Sequence, residues 1–191
     1  MKTFSLIALL IVAVAQLFVP SKMIMDHESI LVKGNEFKFK TEPIDPADPF
    51  RGKYIRLNFE ATEFNVGKEA DWESRETVYV ILENDEKGFA KIINVAKEIP
   101  AVEMQYVKAT VSYLSQEDSV NTLWIKYPFD KFYMEESKAP DAETVYREAA
   151  IDTNQVAYAV VRVLNGEAVL SDVMIDGKSI KAVVDALNQK Q

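Results

Sequence analysis

An apolar segment at the start of the chain restricts the fold more than any other feature of the sequence. Between residues 4 and 19 only Ser5 and Gln16 are polar, and the apolar character resumes up to Met25. A helix needs about 20 apolar residues to cross a bilayer, and this segment supplies them. The segment is not amphipathic, so we expect a membrane span rather than a helix of a soluble core.

Lys2 precedes the apolar segment. Its charge predicts a cytoplasmic amino terminus and an extracytoplasmic domain, in a single-pass protein of the cytoplasmic (inner) membrane. Lys22 would then extend its ammonium group to the interface. The alternative is a signal peptide, because residues 13–15 (Ala-Val-Ala) form a small-x-small cleavage site. We expect the uncleaved anchor, whereas cleavage after Ala15 would release a soluble protein.

Composition excludes several classes of chemistry. The chain has no cysteine and one histidine, His27, so disulfides, thiolate nucleophiles and sites with two histidines cannot form within it. The net charge of −8 disfavours nucleic acid as a partner, because phosphate binding requires a basic face. We expect neither a cofactor nor a metal ion, and there is no glycine-rich phosphate loop. His27 is expected to be a solvated linker residue.

The rest of the chain shows the two-residue alternation that is typical of β-strands. About eight strands are predicted: over residues 36–43, 52–64, 78–82, 89–95, 106–115 and 121–129, and in the two runs that flank Asn165-Gly166. Asn-Gly is typical of hairpin turns, and Asp176-Gly177 is expected to end the second run. Short helices are predicted over residues 140–150 and 178–191.

The pattern contains no βαβ unit, which excludes a doubly wound parallel sheet. The predicted fold is mainly β, an antiparallel β-sandwich or partly open barrel with one or two short helices, preceded by a single N-terminal transmembrane helix. We expect three regions: an anchor over residues 1–25, a juxtamembrane linker over 26–35 and an extracytoplasmic β-rich domain over 36–191.

A proline-rich connection over residues 43–50 leads through Arg51 into Gly52, at the start of the second predicted strand. Glycine is favoured where φ is positive or where another backbone comes close. Asp48 precedes Pro49 and can accept hydrogen bonds from backbone amides ahead of it, which stabilises a turn. The residues therefore predict a corner that sets the register of the strand.

The same corner resembles the signature of the GDYXXLXY family, Gly-Asp-Tyr-x-x-Leu-x-Tyr. Gly52, Tyr54 and Leu57 match the signature, whereas Lys53 replaces its acidic residue and Phe59 replaces its last tyrosine. The replacement by Lys53 leaves the role of the acidic residue without a counterpart in this chain.

Two further segments carry the resemblance. Residues 48–51 resemble the Asp-Pro…Arg lead-in of the family, and residues 131–136 resemble a basic-aromatic-aromatic segment in which Tyr133 is followed by the equivalent acid, Glu136. The resemblance implies one membrane helix followed by an extracytoplasmic β-rich domain. It implies no established biochemical activity, and it implies an association with multi-spanning membrane proteins.

The corner and the second segment supply the candidate binding residues: Asp48, Arg51, Gly52, Tyr54, Leu57, Tyr133 and Glu136. A guanidinium group binds a carboxylate through two parallel hydrogen bonds. Arg51, Tyr54 and Glu136 would form a polar cluster if the two segments were adjacent. The alternative is an ion pair that only fixes a loop.

Other candidate sites are weaker. Asp45 and Asp48 offer too few ligands for a calcium loop, in a stretch that prolines constrain. Glu135 and Glu136 are expected to face opposite sides of a strand, which does not suit a glycosidase pair. The aromatic residues between positions 124 and 133 are expected to pack in the core, with a stacking platform for sugar or peptide as the alternative.

These observations predict a membrane-tethered extracytoplasmic module that binds or supports an integral membrane protein without catalysis. One alternative is an envelope hydrolase that uses carboxylates or a Ser-Lys dyad, whose members can be distant in sequence. No Gly-x-Ser-x-Gly elbow is present. The other alternative is a secreted protein that binds a small ligand after cleavage at Ala15.

Overall fold

The computed structural model describes residues 2–42, 54–67, 71–101, 103–116, 120–152 and 154–189. Within these ranges the helices are α1 (Lys2–Lys33), α2 (Ala139–Ile151) and α3 (Ile180–Asn188). The strands are β1 (Asn35–Glu42), β2 (Tyr54–Arg56), β3 (Asn58–Phe59), β4 (Glu63–Val66), β5 (Thr77–Asn84), β6 (Ala90–Ala96), β7 (Tyr106–Gln116), β8 (Asn121–Lys126), β9 (Lys131–Tyr133), β10 (Ala157–Leu164), β11 (Glu167–Ile175) and β12 (Lys178–Ser179).

The strands form two five-stranded antiparallel sheets and one separate strand pair. The sheet orders are β12-β11-β10-β1-β3 and β4-β8-β7-β5-β6, and β2 pairs with β9. A parallel bridge between Val107 and Gly166 joins β7 to the turn between β10 and β11. The strands together enclose a nearly closed, barrel-like core, which confirms the predicted mainly β fold.

Aromatic rings fill one end of this core. Phe39 on β1 is fully buried, and the centroids of the Phe59, Tyr127 and Phe129 rings lie 5.1–5.5 Å from its own. The Tyr127 hydroxyl donates a hydrogen bond of 2.7 Å to the backbone oxygen of Ala61. The rings come from β1, β3 and the segment after β8, so the cluster connects parts of the barrel that are distant in sequence.

Helix α1 runs without interruption into the domain. Its residues 9–28 are exposed, and the stretch Leu9–Lys33 is long and apolar enough to cross a membrane. The helix packs against the domain only near its carboxyl end, where Ile30 is buried and the helix contacts β10 and β11. Residues 26–33, predicted as a linker, are therefore helical, and Gly34 alone separates α1 from β1.

Two details of α1 refine the prediction. His27 is exposed on the helix, as expected of a solvated residue, although it lies in a helical turn. The Lys22 ammonium group lies 2.7 Å from the Asp26 carboxylate one turn later. Lys22 thus forms an exposed ion pair on the helix itself, at the end of the apolar segment.

The prediction of one continuous strand over residues 52–64 is wrong. Its described part is split into β2, β3 and β4, because the three pieces pair with β9, β1 and β8 respectively. Strands β9 and β12, which have three and two residues, were not predicted. Glu135 and Glu136 were expected on a strand, but they follow β9 in the turn before α2.

The predicted hairpins are confirmed at their turns. Asn165 and Gly166 have φ values of 52° and 85°, as a type I′ turn requires. Asp176 and Gly177 also have positive φ values, of 48° and 77°. They end β11 as predicted, and they also return the chain into β12 and then into α3.

Candidate functional site

The described parts of the signature and of the segment 131–136 lie side by side. Strands β2 and β9 pair antiparallel, with Tyr54 opposite Tyr133, Ile55 opposite Phe132, and Arg56 opposite Lys131. The Tyr54 and Tyr133 ring centroids are 5.4 Å apart, and the Lys131 ammonium nitrogen lies 5.0 Å from the Tyr54 centroid. The adjacency on which the candidate cluster depended is therefore present.

Alternation gives the first of these segments two different faces. Ile55, Leu57 and Phe59 are buried in the core, whereas Arg56 and Asn58 are exposed. Leu57 was a candidate binding residue, but its side chain is buried and belongs to the apolar floor of the cleft. Its amide donates a hydrogen bond of 2.9 Å to the backbone oxygen of Asp130, which fixes β2 to the segment before β9.

Several candidate residues lie outside the part of the chain that the structure describes. Asp48, Arg51 and Gly52, like Asp45, lie in the range 43–53 that the structure does not describe. Tyr133 is exposed for 64% of its surface, and Glu136 lies exposed in the turn that precedes α2. The pairing of Arg51 with Glu136 therefore stays a prediction.

A cleft of about 360 Å³ opens next to the paired segments, and the matching strand lines it. Its buried lining consists of Leu57, Phe59, Ile125 and Tyr127, and its polar or exposed lining consists of Glu42, Arg56, Asn58, Thr62, Ser112, Trp124, Lys126 and Asp130. The cleft thus has an apolar floor and a charged rim, a combination that is typical of binding sites.

Strand divergence creates the cleft. Strand β3 pairs with β1 in one sheet, and β4 pairs with β8 in the other, so the chain crosses between sheets over residues 60–62. The crossing is held by hydrogen bonds of 2.8 Å from the Ile125 amide to the Thr62 oxygen and 3.1 Å from the Thr62 hydroxyl to the Phe59 oxygen. The split of the predicted strand is therefore what opens the site.

Basic residues cluster along one border of the cleft. Arg56 and Lys131 are opposite each other on β2 and β9, on the same face as Tyr54 and Tyr133, and Lys126 lines the cleft with Arg56. Like charges directly opposite in a strand pair are destabilising. Arg56 and Lys126 share the cleft lining with Glu42 and Asp130, so the charges of the lining balance. The positive groups form a basic edge (Arg56, Lys126 and Lys131) that suits an anionic ligand group.

Aromatic residues divide between core and surface. Tyr127, Phe129 and Phe132 are buried, in agreement with the predicted core packing. Trp124 instead lines the cleft and stacks on Tyr113, with ring centroids 5.3 Å apart and planes at 15°. Trp124 thus contributes an aromatic ring to the cleft lining, and the alternative of a stacking platform stays a prediction.

The acidic side of the cleft carries a perturbed group. Partial burial raises the pKa of Glu42, and the neighbouring carboxylates of Glu60 and Glu63 raise it further, while Lys40 opposes the shift. Protonation of Glu42 is therefore easier in the folded chain than in the unfolded chain. The folded state binds more protons above the ordinary pKa of a carboxyl group, so the contribution of Glu42 to stability declines as pH rises through its raised pKa.

Glu42→Gln is expected to remove this part of the pH dependence. The stability gained by the variant over the native chain should be larger at pH 7 than at pH 4. Glutamine is neutral at both pH values, whereas Glu42 of the native chain is more ionised at pH 7. The effect is small, since the Glu42 side chain is only partly buried and solvent screens its charge. Thermal unfolding of both chains between pH 4 and pH 7 measures it, with Glu98→Gln in the exposed loop after β6 as the control. An identical profile for Glu42→Gln and the native chain would contradict the assignment.

The cleft could not have been located from sequence alone. Its lining comes from four separate segments that the fold brings together, around Glu42, Arg56, Ser112 and Trp124. The one available signal was the alternation over residues 54–60, which correctly placed Arg56 and Asn58 on the outer face. In the part of the chain that the structure describes, no group of three or more acidic or histidine residues is arranged to hold a metal ion.

Comparison with known proteins agrees with the resemblance in the signature. No curated protein and no solved structure matches the chain. The family model described as GDYXXLXY protein matches residues 16–173, which include the second half of α1, the paired segments and every residue that lines the cleft. Because this match covers most of the sequence, the chain belongs to the GDYXXLXY family.

Proposed function

We propose that the protein is a membrane-anchored binding module. Helix α1 crosses the cytoplasmic membrane with its amino terminus inside, and the β-rich domain outside binds an acidic, extended segment of an integral membrane protein. The observation that carries the proposal is the position of the family signature. The strand that matches it lines the cleft with Arg56 and Asn58 and forms the basic edge together with Lys131.

The chemistry of the cleft selects the class of partner. Arg56 and Lys126 offer hydrogen bonds and positive charge to carboxylates, and an arginine fork binds a carboxylate with both nitrogens. Trp124 and the Tyr54–Tyr133 pair offer aromatic surface beside these charges. Rigid aromatic residues and arginine are the residues that most often dominate protein interfaces. A free small ligand with a carboxylate is the alternative occupant.

The short distance between the apolar segment and the domain supports a membrane protein as partner. The apolar segment ends at Met25, and α1 continues only to Lys33 before β1 begins. Eight helical residues span about 12 Å. The domain therefore lies close to the bilayer surface, where the extracytoplasmic loops of a multi-spanning protein are located.

Crosslinking of the full chain in native membranes, followed by affinity recovery, tests the proposal. Arg56→Glu and Lys126→Glu each reverse a charge of the basic edge, and each is expected to reduce recovery of the partner at least about fivefold. Lys91→Glu is the matched control, because Lys91 is an exposed lysine on β6 that does not line the cleft. Equal recovery with all three variants would exclude the basic edge as the interface.

The anchor has its own test. An uncleaved α1 keeps the chain in the membrane pellet after an alkaline carbonate wash, at the mass of the full sequence. A chain that is shortened by the residues up to Ala15 and released by the wash would instead support the secreted ligand-binding protein.

A hydrolase is the second candidate, because Ser112 and Lys126 both line the cleft. They would be the members of a Ser-Lys dyad. Lysine acts as a base when desolvation keeps it neutral, whereas Lys126 is exposed. Labelling of the chain by a serine-directed fluorophosphonate, lost in Ser112→Ala, would favour this candidate over the binding module.

A further inference from the structure

We propose that α1 pairs inside the membrane with α1 of a second copy of this chain, through Gln16. The inference rests on the proposed function in one respect, since it requires α1 to cross the bilayer. It adds a second interface, in the membrane, that is separate from the cleft in the domain.

Gln16 lies near the middle of the span. The apolar segment runs from residue 4 to Met25, so its centre is at residues 14–15 and Gln16 is displaced from it by about 2 Å. The side-chain amide is therefore placed in hydrocarbon, about as far from water as the helix allows. A polar group without a partner in that environment costs several kcal/mol.

The helix itself offers the amide no partner. The neighbours of Gln16 on the same helix face are Val12, Ala13, Val19 and Pro20, none of which has a polar side chain. Residues 9–28 of α1 are exposed, so the β-rich domain does not reach it either. A side-chain or backbone partner from another helix would satisfy the amide.

Pro20 adds a second polar group at the same level. Proline has no N–H, so the carbonyl of Gln16, four residues earlier, loses its normal helical hydrogen bond. Ser21 does not replace it, because the Ser21 hydroxyl donates to the Leu17 oxygen at 2.8 Å. Proline within a membrane helix is tolerated where a neighbouring helix satisfies the released carbonyl.

A second copy fits both groups. Copies inserted in the same orientation place Gln16 at the same depth, and a two-fold axis brings identical residues together. A primary amide both donates and accepts, so each Gln16 can donate to the amide oxygen or the released carbonyl of the other. Ala13 lies one turn away on the same face, and small residues allow helices to approach closely.

The absence of cysteine makes the test direct, because one introduced cysteine is the only thiol in the chain. Met23 lies two turns from Gln16 on the same face, whereas Phe18 lies on the opposite face. In native membranes, oxidation of full-length Met23→Cys is expected to give a disulfide-linked dimer, and Phe18→Cys is expected to give little. Gln16→Leu in the Met23→Cys background should weaken dimerisation about 5- to 30-fold.

Two further variants separate the polar contact from general packing. Ser21→Ala is the matched control and should leave the crosslinked fraction unchanged, because Ser21 is satisfied within its own helix. Pro20→Ala returns an N–H to the Gln16 carbonyl, so it should reduce the crosslinked fraction by a smaller factor than Gln16→Leu does.

Several results would overturn the inference. These are equal crosslinking at positions 18 and 23, a dimer that Gln16→Leu leaves unchanged, or a crosslink to a protein of different mass that depends on Gln16. The carbonate wash separates these results from a failure of the proposed function. Variants that stay in the membrane pellet at full mass but lose the dimer support the inference, whereas a chain cleaved after Ala15 would exclude both proposals.

Discussion

Replacement of Phe39 by alanine is expected to lower the free energy of unfolding by about 4 kcal/mol. Phe39 is fully buried, and three aromatic rings surround it with centroids 5.1–5.5 Å away. The cavity cannot close easily, because β1 is held by hydrogen bonds to β10 on one side and to β3 on the other. Urea unfolding of the full chain in detergent, followed by tryptophan fluorescence, measures the change.

An exposed aromatic residue provides the control for this experiment. Tyr133→Ala removes a ring that is 64% exposed, and it should change the free energy of unfolding by no more than about 0.5 kcal/mol. Phe39→Leu, which leaves a smaller cavity, should cost about 1.5 kcal/mol. If Phe39→Ala cost no more than Tyr133→Ala, the aromatic cluster would not be the centre of the core.

The aromatic cluster also connects the core with the cleft. Phe59 and Tyr127 contact Phe39 on one side and belong to the cleft lining on the other. Tyr127 is held in addition by its hydrogen bond to Ala61, next to the crossing between the sheets. Loss of the Phe39 ring is therefore expected to loosen the floor of the cleft before it affects the exposed basic edge.

Local signals explain the part of the fold that the sequence predicted. The turn between β5 and β6 is one example, since Asp85 Oδ1 accepts hydrogen bonds of 2.8 Å from the amides of Lys87 and Phe89. Asn165-Gly166 is another, because these residues adopt positive φ more easily than others do. Hairpins, strand alternation and the two short helices depend on neighbours in sequence, so they could be predicted.

The choice of strand partners could not be predicted in the same way. Residues 54–61 alternate regularly and the apolar phase changes before Phe64, yet the residues from 54 to 66 pair with three different strands, which are distant in sequence. Nothing in the three residues of β9 distinguishes them from a loop until β2 lies beside them. The candidate site was affected most, because the cleft exists only where these partner choices diverge.

The junction between α1 and β1 was not singled out in the sequence either. Residues 26–35 contain several charged residues and were expected to be a linker. Helix α1 instead continues to Lys33, and Ile30 packs at the contact with β10 and β11. Arg162 on β10 closes the junction, since its guanidinium group lies 2.8 Å from the Glu36 carboxylate and 3.3 Å from the Gly34 oxygen.

Gly34→Ala is the second large prediction, with an expected loss of about 3 kcal/mol in the free energy of unfolding. A Cβ atom at Gly34 would lie 2.5 Å from the Ile30 oxygen and 3.0–3.1 Å from the Val163 backbone nitrogen and oxygen. All three are backbone atoms of packed elements, so they cannot move away cheaply. The close approach to β10 therefore requires glycine at this position, independently of its φ angle.

Gly67→Ala is the matched control for Gly34→Ala, because a Cβ atom at Gly67 would have no neighbour within 4 Å. It should be neutral or stabilise the chain by up to about 1 kcal/mol, since alanine restricts the unfolded chain.

The Gly34→Ala and Gly67→Ala variants also test whether the junction orients the domain. Energy transfer from a dye on Lys126→Cys to a membrane-embedded acceptor should change with Gly34→Ala, under conditions in which the domain stays folded, and not with Gly67→Ala. An unchanged signal and unchanged stability in Gly34→Ala would mean that the junction does not orient the domain, and the orientation of the cleft would then need a partner to fix it.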